Sequence, residues 1–431
     1  MPILHRSRAF ARLAQASRIA ALILALAAPG MALAQAKPAP LTLSEAIGRA
    51  TGADPAATAA EARLEAARAD LRQAGVRPNP SIGLELENFA GSGAYSLLDR
   101  SEATASYQQT FERGGKRAAR TDAAAAGIEA VRLRQAVRRL DLIKAVQVAY
   151  AEALAAEAEL LIAEARLIAA HRSQADIVRR VRSARDPLFA GARAETLTAQ
   201  AEIARDQARQ AAVEARAELA RHWGGAPEFA LELETFFKVS QAQTAPEPET
   251  ADLALLVAER DVAEARVRVE RARQMADPTL KAGLRYFGDG SEVAFIVGGT
   301  IPLQRYDTNK AGVERALAER NAAEADIVAA RLAREREIAR LTARLAASAL
   351  ESERIRAEVI PAAIRTVELV RDGFNRGGFQ YLDVTEAERA LADARARRVN
   401  VLRQHHIDQA AFDRLSGRHA GLIPTPVAER R

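Results

Sequence analysis

The sequence predicts a mainly helical chain with a small β part, built twice over from one module. Three observations carry this. No proline falls between Ser81 and Asp186, where Ala, Arg and Glu dominate as they do in long helices. Two short regions alternate apolar and polar residues with a period of two, each doubled into a hairpin. The order of helix, hairpin, long helix, turn and helix then recurs after roughly 190 to 200 residues, far beyond the period of solenoid repeats.

The chain opens on a targeting pattern. His5, Arg6, Arg8, Arg12 and Arg18 make a basic start, and Ile19 to Ala28 form an apolar run too short to span a bilayer. Ala32-Leu33-Ala34 or Ala34-Gln35-Ala36 offers a small-residue cleavage site, so residues 1–36 read as a removable export signal. Arg6, Arg8, Arg12 and Arg18 leave with it and no acid does, which lowers the formal charge from +6 to +2. A nearly balanced chain has no electrostatic footprint for nucleic acid. The chain has no Cys, which excludes disulfides and thiolate metal sites. About 395 residues remain, enough for two or three domains.

In the first repeat, 37–224, a helix starts at Thr42 or Ser44 and runs to about Ala74, with a break near Asp54-Pro55. Arg77-Pro78-Asn79-Pro80 closes it. Ile82, Leu84 and Leu86 alternate with Gly83, Glu85 and Glu87 in a first strand, and a second runs from about Glu102 to Phe111. Gly114 and Gly115 stop that strand. A helix from about Arg117 to Ala184 would be roughly 100 Å long. Leu142, Val146, Ala149, Ala153, Ala156, Leu160, Ala163, Leu167 and Ala170 give it a heptad seam. The segment Asp186 to Gly191 turns the chain, and a return helix is expected from about Glu195 to His222.

A linker rich in Pro, Gln and Thr occupies 225–250, with a short strand expected at Phe229 to Leu233. The second repeat, 251–416, restates the module: a helix to Met275, strands at Thr279 to Phe287 and Glu292 to Ile301, and a long helix to about Arg371 interrupted only at Pro361. Arg376-Gly377-Gly378-Phe379 then leads into a last helix from Tyr381 to about Leu415, followed by a tail, 417–431. Asp277-Pro278 matches Asn79-Pro80, and Asp307-Thr308-Asn309-Lys310 matches Arg113-Gly114-Gly115-Lys116. At the turns, Gly191, Thr196, Leu197 and Thr198 match Gly378, Asp383, Val384 and Thr385 at a constant offset of 187.

The strands have the length of outer-membrane barrel strands, about 9 to 11 residues. Four strands cannot close a barrel, and open edges do not survive in lipid, so several copies must close one jointly. Glu85, Glu87, Lys281 and Arg285 fall on the polar side of the strands and are expected to line the lumen. The rival reading is a periplasmic coiled-coil adaptor, but that needs one helical hairpin among β-domains, not a duplicated hairpin-plus-helix plan.

LTLSEAIGRA, RPNPSIGLELENF, YQQTFERGGKRAAR and GGFQYLDVTEAERAL, in this order and on this duplicated plan, resemble the TolC-type outer membrane factors. Gly114 to Arg120 looks closest to the CzcC-like branch, which serves heavy-metal efflux. The resemblance covers about residues 40 to 416. It implies a homotrimer with a twelve-stranded barrel in outer-membrane lipid and a helical barrel in the periplasm. It also implies docking on a periplasmic adaptor and an inner-membrane resistance-nodulation-division pump, with heavy-metal cations as cargo and organic compounds as the alternative.

In that family the second-repeat turn helps close the periplasmic end. The gating tyrosine corresponds to Phe374, the gating arginine to Phe379 and the constriction-ring aspartate to Glu386, with Asp383 one turn before it. Both phenylalanines lack the polar groups of that lock. The turns at Asp186, Pro187 and Gly191 and at Gly377 and Gly378 are the expected adaptor contacts. His171, His222, His405, His406 and His419 invite a metal-site reading, but adjacent His405 and His406 cannot point one way on a helix. No nucleophile–base constellation, phosphate loop or cofactor motif is found. The sequence therefore reads as a passive exit duct.

Overall fold

The computed structural model describes residues 40–96, 98, 100–239 and 250–422. The export signal expected at 1–36, residues 240–249 of the linker and the end of the C-terminal tail lie outside these residues.

Helix α1 (Leu43–Gly52) opens on a capping box: the Glu45 N–H donates to Thr42 Oγ1 at 3.2 Å, and the Thr42 N–H to Glu45 Oε2 at 3.0 Å. Asp54 and Pro55 are a full boundary, because Asp54 caps a second helix, α2 (Pro55–Ala74), with proline at its first position. Strands β1 (Ser81–Glu87) and β2 (Glu102–Thr110) form the first hairpin. Helix α3 (Lys116–Arg182) then runs 67 residues without a break, about 100 Å at the usual rise. Helix α4 (Leu188–Arg221) returns beside it, and a short α5 (Leu233–Phe236) lies in the linker. The strand expected at Phe229 to Leu233 shrinks to one parallel bridge between Leu41 and Leu231.

Helix α6 (Ala251–Arg273), strands β3 (Thr279–Phe287) and β4 (Glu292–Thr300) and helix α7 (Lys310–Arg354) repeat the plan. A π-helical turn at Ile355–Val359 precedes α8 (Ile360–Asn375), so the second long helix is interrupted by more than Pro361 alone. Helix α9 (Tyr381–Ser416) completes the chain's second hairpin.

The turns correct two expectations. Helix α4 begins at Leu188, not near Glu195, so Gly191 sits in its first turn and not in the loop. The offset of 187 is also wrong. Ala184 and Gly377 both have positive φ, +57° and +86°, and stand 193 positions apart, as do the helix starts Leu188 and Tyr381. The short Gly/Thr match misled because backbone handedness, not residue identity, marks the turn.

All four strands form one antiparallel sheet in the order β1-β2-β3-β4, so the two hairpins join where β2 pairs with β3. The largest core lies midway along the helices. There Ile143, Val146, Tyr150 and Leu154 of α3 meet Ala46 and Ile47 of α1, Leu219 of α4, Phe236 of α5, and Val399 and Leu402 of α9. The heptad seam is only partly this core. Val146 and Ala153 are buried, but the other seven seam positions are half-buried. With helices packed on several sides, α3 buries more than one stripe.

Ala184 carries a left-handed backbone that costs an L-residue roughly 1 to 2 kcal/mol, while Gly377, its counterpart, has open space around its Cα. Ala184→Gly is expected to stabilise the fold by about 0.5–1 kcal/mol, and Gly377→Ala to destabilise it by a similar amount. Urea or thermal unfolding of the purified chain checks both signs.

Candidate functional site

The sheet has two unlike faces. Alternation places Ile82, Leu84, Leu86, Leu280, Leu284, Tyr286, Val293, Phe295 and Val297 on one side, and Leu84, Val297 and Phe295 are 80%, 85% and 88% exposed. A contiguous apolar surface of this kind marks contact with lipid or protein. No described helix is long and apolar enough to cross a membrane.

The other face is charged and cross-linked. Pairing puts Glu85, Thr104 and Arg285 abreast on three strands. Arg285 donates to Thr104 Oγ1 at 2.9 Å and forms ion pairs with Glu87 at 3.1 Å and Glu102 at 2.7 Å. Lys281 pairs with Glu85 at 3.5 Å. The four residues expected on the polar side therefore share one face, and all bridge the two repeats. Glu102 was missed: it was placed at a strand start, and its partner is 183 positions away.

Below the sheet both long helices are moored to the end of α6 and the loop that follows it. Gly114 and Gly115 and, in the second repeat, Asn309 take left-handed φ at the helix starts. A Cβ on Gly114 would lie 2.6 Å from the Met275 side chain, so only glycine fits. Asp277 accepts the Arg113 N–H at 2.9 Å and the Lys116 ammonium at 2.6 Å. Asn309 donates to the Glu270 carbonyl at 2.9 Å and carboxylate at 2.8 Å. Burial acts to raise the Asp277 carboxyl, but Lys116 and the Arg113 N–H outweigh it and hold it below its ordinary value. The Asn309 hydrogen bond is the main force holding Glu270 down, aided by Arg273.

At the far end the expected gate residues separate. The Phe374 ring is buried among Ile177, Ala190, Ala194 and Val384, with the Arg180 guanidinium 4.3 Å from its centroid. Phe379 is half-exposed and lies over Gly373. Asp383 accepts the Gln380 N–H at 2.8 Å in a capping box that starts α9. Glu386 is exposed, with no ion pair among the described residues. Asp186 pairs with Arg180 at 2.5 Å, Pro187 precedes α4, and the Gly378 N–H closes the second turn on the Gly373 carbonyl. The sequence did not flag Glu388. It accepts from Ser173 of the other hairpin at 3.1 Å and from Arg371 at 2.6 Å.

The histidines are dispersed. His405 faces Ser348, His406 the Phe236 carbonyl at 2.9 Å, and His419 Gln147 at 3.1 Å. Burial pushes the imidazoles of His406 and His419 down, favouring their neutral forms. Among the described residues no three His, Asp or Glu gather where a metal ion would be held.

A sheet greasy on one face and charged on the other, continuing into helices of this length, defines the class of membrane channels with a helical extension. The chain belongs to the outer membrane efflux protein family, whose profile matches residues 46–225 and 248–418. It is an outer membrane efflux channel, not an adaptor. Over 387 residues it is 30% identical to the cobalt-zinc-cadmium resistance protein CzcC of Cupriavidus metallidurans, covering 88% of this chain and 90% of that one. It is 29% identical to the nickel-cobalt-cadmium resistance protein NccC of Alcaligenes xylosoxydans xylosoxydans, covering 74% and 73%. Among solved structures, its fold matches the outer membrane protein VceC of Vibrio cholerae with a TM-score of 0.69 at 20% identity, over 87% of this chain and 96% of that one. It matches CusC with a TM-score of 0.72 at 17% identity, over 87% and 92%.

Asp277→Asn is expected to cost about 1–3 kcal/mol at neutral pH, because Lys116 loses its anionic partner. Both mooring carboxyls are depressed in the folded state. Their contribution is therefore whole above the ordinary values, 3.8 for Asp277 and 4.5 for Glu270, and is lost as pH falls through the lower folded-state values. The gap in melting temperature between parent and Asp277→Asn should close in that acid range. A gap independent of pH would exclude the carboxylate as its cause.

Proposed function

We propose that three copies of this chain form a passive exit duct through the outer membrane, with heavy-metal cations as its cargo. The observation that carries this is the sheet: four strands, an apolar face, a charged face, and β1 and β4 both unpaired at the edges. Lipid leaves no backbone group unpaired, so β4 of one copy must pair with β1 of the next until the ring closes. Two copies would give eight strands, whose interior side chains fill. Three copies are the smallest ring that leaves a water-filled lumen. In that ring Glu85, Glu87, Lys281 and Arg285 face the water.

The long helices then form a periplasmic tube whose mouth is built from the two turns. Phe374, Phe379, Asp383 and Glu386 are the candidates for its constriction. Asp186, Pro187, Gly191, Gly377 and Gly378 are the candidates for contact with a periplasmic adaptor, behind which stands an inner-membrane pump. Solutes cross by diffusion, with no chemistry performed by the chain. The metal cargo rests on the named activities of CzcC and NccC.

Fractionation should place the mature chain in the outer membrane, at about three times the monomer mass in detergent. A water-soluble thiol reagent should label Cys at positions 85 and 285 faster than Cys at 84 and 284, which lipid covers. Labelling in the opposite order would exchange the two faces. Loss of the gene should sensitise cells to cobalt, zinc, cadmium or nickel, whereas sensitivity to organic compounds alone would reassign the cargo. At low salt, where screening is weakest, Glu386→Gln should lower cation preference in single-channel recordings without disturbing assembly. Unchanged selectivity would return Glu386 to an ordinary solvated helix face.

A further inference from the structure

Where α9 ends, the chain turns back onto α3. Gly417 takes a left-handed φ of +82°, and the turn that follows brings His419 beside Gln147, near the middle of α3. Asp413, in the last turn of α9, meets both. The Gln147 amide nitrogen lies 3.3 Å from Asp413 Oδ2 and 3.1 Å from His419 Nε2, and those two atoms are 3.9 Å apart. Gln147 and Asp413 are only 8% and 4% exposed.

An amide nitrogen can only donate, so the His419 Nε2 lone pair and the Asp413 carboxylate both face it. The Gln147 carbonyl oxygen, Oε1, is then buried with no hydrogen-bond partner. A buried acceptor in that state is destabilising. Turning the amide over puts the oxygen where the nitrogen stood, so three electron-pair donors surround one point. They are an imidazole nitrogen, a carboxylate oxygen and an amide oxygen, and they repel unless a cation sits between them. Their separations of 3.1, 3.3 and 3.9 Å bracket a tetrahedral donor–donor edge. Bonds of about 2.0–2.2 Å give an edge of about 3.3–3.6 Å.

The neighbours suit this arrangement. Gln409 donates to Asp413 Oδ1 at 2.7 Å and fixes the carboxylate, and its own Oε1 is a second buried acceptor without a partner. Arg418 reaches the two Asp413 oxygens only at 3.3 and 3.4 Å, from a half-exposed side chain that can swing into solvent. Arg414 is engaged elsewhere, by Asp141 and Asp252.

We propose that Gln147, Asp413 and His419 hold one divalent transition-metal cation of zinc's size, which ties the C-terminal turn to α3. Imidazole with oxygen donors suits zinc and its first-row neighbours cobalt and nickel. The third donor is an amide, so the set is not a cluster of His, Asp and Glu alone. Arg418 is the resident cation of the metal-free chain: it neutralises Asp413 and withdraws when the metal enters. The site rests on these contacts and not on the exit-duct reading.

The experiment titrates the full, untagged chain in detergent with cobalt(II), whose visible absorption reports coordination, and counts bound metal by equilibrium dialysis. One cobalt per chain should bind, and zinc should displace it. His419→Ala should weaken binding by more than about ten-fold, the loss that removing even an outer hydrogen-bond partner brings. His419→Gln, which keeps a polar side chain in the turn, serves if His419→Ala fails to fold, and should weaken binding likewise. Arg418→Ala should tighten binding several-fold because the competing positive charge is gone, and Gln147→Glu should tighten it because a carboxylate replaces a neutral donor. If the cluster only bonds the turn to α3, both substitutions will lower the metal-free melting temperature and leave cobalt affinity unchanged, which would overturn the site. No cobalt bound by the parent chain at millimolar concentration would overturn it too, as would binding that the His419 substitutions leave unchanged.

Discussion

A sheet of four strands with an apolar outer face and two bare edges is not stable in water alone. Its hydrogen-bonding edges must be completed and its greasy side covered, and lipid satisfies only the second need. Closure by further copies would satisfy the first. Every larger feature follows from this. The strands are kept to nine residues or fewer, the charges point to one side, and the two repeats meet through β2 and β3 so that each chain carries one uninterrupted sheet.

The charged face does more than stay wet. Arg285 of the second repeat gathers Glu87 and Glu102 of the first, and Lys281 gathers Glu85. These pairs hold the two hairpins in one register, where a slip of one residue would send charges into lipid. The moorings below continue the same logic. Glu270 lies in the last turn of α6 and Asp277 in the loop just after it, Asp277 grasping the lead-in to α3 and Glu270 the lead-in to α7. One stretch, 270–277, thus grips the start of both long helices.

Towards the far end, the packing thins. The mid-length core draws on α1, α3, α4, α5 and α9 together, whereas the tips share one small cluster around Phe374 and a few charged contacts. Apolar burial is therefore concentrated midway along the helices and reduced at their tips. There Arg180 reaches the Phe374 carbonyl and Ser173 reaches Glu388, so polar contacts join the two hairpins beside the small apolar cluster.

Local periodicity was enough to reveal the strands, the long helices, the duplication and the segregation of Glu85, Glu87, Lys281 and Arg285 onto one face, since each is a property of neighbouring residues. The cap at Thr42, one of two candidates with Ser44, and breaks near Asp54-Pro55 and at Pro361 were legible for the same reason. What tertiary structure decided is whatever depends on distant partners or on backbone handedness. Ala184, not Gly191, matches Gly377, because the turn is marked by a left-handed φ that an alanine can be held in. The heptad seam spread into a wider buried surface because several helices, not one, press on α3. Glu102, Asp277 and Glu388 became clasps only when folding brought together partners more than 150 positions apart, a separation at which no sequence spacing carries information.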